Sequence, residues 1–105
     1  MKNIDTLLTE IKKIIAQEKE TTMDVLASRL VDLILNPYNG YEELCENNPL
    51  ITEIGNRASD LEIRNGTEDE LRADWQRIKE IVDAMENNID ISPNEDTIAS
   101  KFQKQ

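Results

Sequence analysis

The chain has 105 residues, 12 basic and 22 acidic side chains and no histidine, giving a net charge of −10. That length fits one domain, and that charge repels nucleic acid and anionic membrane surfaces while attracting basic proteins. The missing histidine removes the Ser-His-Asp triad, the Cys-His pair, the H-E-x-x-H zinc site and the Glu-x-x-His pairs of di-iron bundles.

Thirteen isoleucines, ten leucines and three valines supply a core, whereas four aromatics and three glycines are few for a sheet protein. Helices are favoured before any pattern is read. A single cysteine, Cys45, makes neither an internal disulfide nor a structural zinc site. The acidity is uneven: residues 1 to 20 are neutral, while residues 21 to 64 and 65 to 105 each carry −5. The opening MKNIDTLLTEIKKIIAQEKE is broken by acids and lysines and is not a signal peptide. No run approaches about 18 apolar residues, so a cytoplasmic protein is expected, with no membrane partner.

The first helix is expected over 3 to 20, where Ile4, Leu7, Leu8, Ile11, Ile14 and Ile15 make one stripe at helical period. A second helix starts at Thr22 as N-cap and stops at Asn36, before Pro37. Its apolar residues run nearly all round, leaving Asp24, Ser28 and Asp32 as a polar stripe, so it is expected to be central. A turn at Asn39-Gly40 and one helical turn over 41 to 47 follow. Asn48-Pro49 opens a third main helix ending at Asn65-Gly66. Gly55 inside it marks either a close crossing or a break.

The stretch NGTEDELRADW gathers four carboxylates before the only tryptophan. Thr67 and Glu70 form a capping box, and Glu68 and Asp69 sit where free helix N–H groups attract anions. The fourth main helix then runs through Leu71, Trp75, Ile78, Val82, Met85 and Ile89, a heptad-like seam. Trp75 reads as core, and Asp74 is unexplained. Ser92, Pro93 and Glu95 suggest a last short helix over 93 to 103, docked by Ile98 and Phe102, with frayed final residues. The expectation is an all-α bundle of four main helices, a short helical turn and a short C-terminal helix, in one domain over 1–105.

Residues 90 to 101 imitate a calcium loop at Asp90, Ser92, Asn94 and Asp96, but Glu95 stands where glycine is needed and Lys101 where a glutamate is needed. No metal, cofactor or catalytic site is expected, and Cys45 has no neighbouring cation in sequence to activate it. The most suggestive stretch is PYNGYEELCE. Tyr38 and Tyr41 flank a tight turn, and Glu42, Glu43 and Glu46 follow at once. Tyrosine gives contact area at small entropic cost, and carboxylates steer a basic partner and pair with its arginines and lysines. The alternative is that both rings roof the core and the glutamates solvate a short helix.

With SDLEIRNGTEDELRADWQRI joining two helices, this stretch resembles, at class level, the small acidic all-helical toxin-immunity proteins of bacteria. The second segment looks like the acidic helix–turn–helix of colicin-D-type immunity proteins. The adjacent Tyr-Tyr-Pro of the DNase-colicin inhibitors is absent, since the tyrosines here are three apart and Pro37 precedes them. The resemblance spans roughly 20 to 85 and implies no enzyme, but tight binding to a basic nuclease whose active or nucleic-acid-binding face is blocked. The alternative function is a structural or adaptor domain, a homodimer through the seam at 71 to 89.

Overall fold

An asparagine starts the bundle. In the computed structural model, which describes residues 3–94, Asn3 accepts from the Thr6 amide at 2.9 Å and caps α1, Ile4–Ile15. Leu7, Leu8 and Ile11 of its stripe are buried. The helix stops five residues short of the expected 20. Beyond it the chain winds through i→i+3 bonds, from the Gln17 amide to Ile14 (3.0 Å) and from the Glu18 amide to Ile15 (3.1 Å). The apolar stripe has ended there, and two tertiary anchors take over. The Trp75 indole donates to Glu18 at 2.8 Å, and Arg29 donates to Gln17. They outweigh the good helix propensity of Ala-Gln-Glu-Lys-Glu.

Helix α2, Met23–Leu35, begins after Thr22 as expected, although the Thr22 side chain makes no capping bond. A 3-10 turn at Pro37–Asn39 and the six-residue α3, Glu42–Asn47, lead to α4, Pro49–Glu62. Asn48 caps α4 through the amides of Leu50 (3.0 Å) and Ile51 (3.4 Å). The helix ends earlier than expected. Arg64 takes the left-handed position after the helix with φ 52, Gly66 follows with φ 142, and the Asn65 amide reaches back to the Asp60 carbonyl at 2.9 Å. Helix α5, Glu68–Glu86, opens on the expected capping box, Thr67 N–H to Glu70 at 2.9 Å and Glu70 N–H to Thr67 at 3.2 Å. It closes where Asn88 turns left-handed, with φ 56.

The architecture is all-α, and no strand occurs among the described residues. Its centre is α4, which packs against α2, α5 and α3, while α1 closes over α2 and α5. This corrects the expectation that α2 is central: Val25 and Leu35 of α2 are exposed. The polar residues of α4 disguised it. Glu53, Asn56, Arg57 and Asp60 are buried along with Ile51, Ile54, Ala58 and Leu61. The helix is unbroken at Gly55, which faces α2; a Cβ there would make ordinary van der Waals contact with Leu35 Cδ2 at 3.4 Å and Ile34 Cγ2 at 3.8 Å, so the crossing does not require glycine.

The seam on α5 faces inward. Leu71, Trp75, Ile78 and Val82 belong to the chain's own core, Met85 is half-buried, and Ile89 is exposed beyond the helix end. Residues 91–94 are not helical. From Glu95 on, the expected last helix with Ile98 and Phe102 lies outside the described residues, as do Asp96 and Lys101. Among the described residues no helix is long and apolar enough to cross a membrane.

Candidate functional site

The turn between α2 and α3 is built from amide side chains. Asn36 accepts from the Tyr38 amide at 3.0 Å. Asn39 donates its side-chain amide to the carbonyls of Asp32 (2.8 Å) and Leu33 (3.2 Å), satisfying acceptors that the end of α2 leaves open. Gly40, with φ 80, reverses the chain in a conformation glycine adopts without strain. The two tyrosines leave this turn in opposite directions. Tyr38 is 96% exposed, whereas Tyr41 is 2% exposed and sits in the core. Tyr41 therefore takes the core position that one of the two alternatives gave to both rings, and Tyr38 does not. Tyr41 lies four residues before Cys45, and both take the inward side of α3.

The outward side of α3 carries Glu42, Glu43 and Glu46, all exposed. With Pro37 and Gly40 they line an open depression of about 320 Å³. Among the described residues no ion pair involves any of the three. The structure thus brings Glu42, Glu43 and Glu46 together on the surface, leaves Tyr38 exposed outside the lining of that depression, and withdraws Tyr41. Burial pushes the Cys45 thiol up; its contact with Thr52 opposes this, and Glu46 and Glu42 add to it. A thiol held protonated in this way is a poor nucleophile.

A second polar cluster lies inside. Glu53 is fully buried, and both of its carboxylate oxygens are occupied. One accepts from Arg57 Nε at 2.7 Å and Arg77 Nε at 2.6 Å, the other from Arg77 Nη2 at 3.2 Å and the Asn94 amide at 2.7 Å. Arg57 also donates to Asp74 at 2.7 Å, and Arg77 to the Ser92 carbonyl at 2.7 Å. The two carboxylates and two guanidiniums cancel in charge. Burial pushes the Glu53 carboxyl up, but Arg77, the Asn94 amide and Arg57 together hold it below its ordinary value. Burial also pushes Asp74 up. Arg57 alone opposes that, Glu70 and Glu53 add to the rise, and Asp74 stays above its ordinary value.

This cluster accounts for Asp74, which the sequence reading left unexplained, and that reading passed over Glu53, Arg57 and Arg77. A signal was present in α4: Glu53, Arg57 and Asp60 are spaced by four and three, each one residue before Ile54, Ala58 and Leu61 of the apolar stripe. Among the described residues no buried side-chain polar atom lacks a partner. None of their histidine, cysteine or carboxylate clusters could hold a metal ion. Compared with protein-family models, curated proteins and solved structures, the chain matches none of them.

Proposed function

We propose that the chain is a small acidic inhibitor that binds a basic protein. It would act as an immunity protein in the bacterial cytoplasm, neutralising a nuclease-type toxin by covering its active or substrate-binding surface. One observation carries the reading. Tyr38 stands almost wholly exposed on a turn fixed by Asn36 and Asn39, beside three glutamates that no cation of the described chain neutralises. An exposed aromatic on a rigid turn offers contact area without ordering cost. Carboxylates without internal partners keep their field, which speeds encounter with a basic surface and then pairs with its arginines and lysines. Nothing in this mechanism requires a bond to be made or broken.

The test is a Glu42→Lys/Glu43→Lys double variant. Affinity for the basic partner is expected to fall at least about tenfold at low salt, mainly through a slower on-rate with a flatter salt dependence. The thermal midpoint should barely move, because both side chains are exposed. Unchanged affinity would remove this surface from the account.

A further inference from the structure

The chain after α5 is held in an unusual way. Residues 91–94 run across the α4–α5 pair, and of them only Ile91 packs against the core, half-buried; Ser92, Pro93 and Asn94 are exposed. The stretch nevertheless covers a carboxylate, Glu53, that water does not reach. Two main-chain contacts hold it there. The Ser92 carbonyl accepts from Arg77 at 2.7 Å, and two residues on the Asn94 amide donates to Glu53 at 2.7 Å. Arg77 and Glu53 are also bonded to each other, at 2.6 and 3.2 Å. A guanidinium and a carboxylate, locked side by side, thus present one donor and one acceptor to a single short run of backbone. Pro93 between the two contacts brings no amide of its own and fixes its φ, which lowers the entropy lost on closing.

We propose that Ile91–Asn94 is a releasable latch, clamped through its main chain by the Glu53–Arg77 pair and able to open while the helical bundle stays folded. Two features argue for a separate opening unit. The segment buries little apolar surface, the property that marks the low-stability parts of a fold. Its main chain is held by charge-assisted bonds to Arg77 and Glu53 rather than by apolar packing. The bundle, by contrast, rests on the apolar packing of α1, α2, α4 and α5, in which the latch shares only through Ile91. Opening would uncover the ionic cluster of Glu53, Arg57 and Arg77 to water.

Asn94→Pro in the full chain removes the amide that donates to Glu53 and lies outside every helix of the described residues. Hydrogen exchange followed by NMR reads the result. In the wild type the Asn94 amide is expected to exchange slowly, and the Arg57 and Arg77 Nε–H signals to be visible at neutral pH. In the variant the Arg77 Nε–H should exchange about tenfold faster or more, the effect of losing one bond to a charged group. The Ile91 methyl signals should shift toward solvent-exposed values, while the Ile54 and Ile78 amides keep wild-type protection. Ser92→Ala should leave the latch closed, since only the carbonyl of that residue is held.

Three results would overturn the proposal. An Asn94 amide that exchanges like unstructured chain in the wild type would show that no latch closes. Loss of protection at Ile54 and Ile78 together with Arg77 in the proline variant would make the segment part of the core. An unaltered Arg77 and Ile91 in that variant would show that the amide does not hold it.

Discussion

Glu53 and Asp74 are both buried carboxylates beside arginines, and their proton affinities move in opposite directions. The difference is the number of donors. Glu53 receives three guanidinium bonds and one amide, whereas Asp74 receives one guanidinium bond. Glu53→Gln leaves the buried Arg57 and the half-buried Arg77 short of their counter-charge and is expected to cost about 3–5 kcal/mol. Asp74→Asn breaks one charged bond and should cost about 1.5–3 kcal/mol. The pH dependence has a definite sign. With its folded pKa below the unfolded one, Glu53 contributes stability that is complete above about pH 4.3 and is lost as pH falls through the lowered value. Asp74, raised when folded, takes up a proton more readily in the native state and adds nothing to acid unfolding. Urea unfolding between about pH 7 and pH 3 should therefore show a steep acid loss in the wild type and in Asp74→Asn, and a flatter profile in Glu53→Gln. Equal slopes in all three would contradict the ranking.

At the scale of elements, the starts of helices and the end of α2 before Pro37 were legible, and the ends of α1, α4 and α5 were not. Asn48-Pro49 and Thr67-x-x-Glu70 act within one turn of themselves, so the sequence holds all that they need. The end of α1 is set by Trp75, 57 residues from Glu18, and no local pattern carries that. The rank of α4 was hidden for the same reason. Glu53 reads as a surface charge until Arg77 and Asn94, 24 and 41 residues away, are brought to it. In the candidate site, the spacing of Glu42, Glu43 and Glu46 placed them on one face of α3, but nothing local told Tyr38 from Tyr41. Their separation depends on the left-handed Gly40 and on the core that receives Tyr41. The end of α4 offers a test. Arg64 in the left-handed region costs about 1–2 kcal/mol that glycine would not incur, part of which returns as unfolded-chain entropy. Its exposed pair with Glu68 at 3.4 Å contributes little. Arg64→Gly is expected to stabilise by about 0.5–1 kcal/mol, a rise of roughly 2–6 °C in a thermal melt. A lower Tm would show that the Arg64 side chain is needed where it stands.

On the scale of the whole molecule, the bundle separates its charges. The internal cluster of Glu53, Asp74, Arg57 and Arg77 is neutral as a set, so the net −10 is carried elsewhere. Lys12 and Lys79 are tied to Glu86 (2.6 Å) and Glu18 (3.3 Å). Among the described residues no cation pairs with the three exposed glutamates of the α3 face, which follows the turn that carries Tyr38. The seam on α5 is turned into the chain's own core, and the proposed basic partner would be the complement of the α3 face. The most direct test is capture from a lysate of the source organism. The wild-type chain and the Glu42→Lys/Glu43→Lys variant would be immobilised side by side, loaded at low salt and eluted with rising salt. The account predicts one basic protein, with nuclease activity in its fraction, released from the wild type at high salt and weakly held by the variant. No specific protein on the wild type, or the same protein held equally by both, would contradict it.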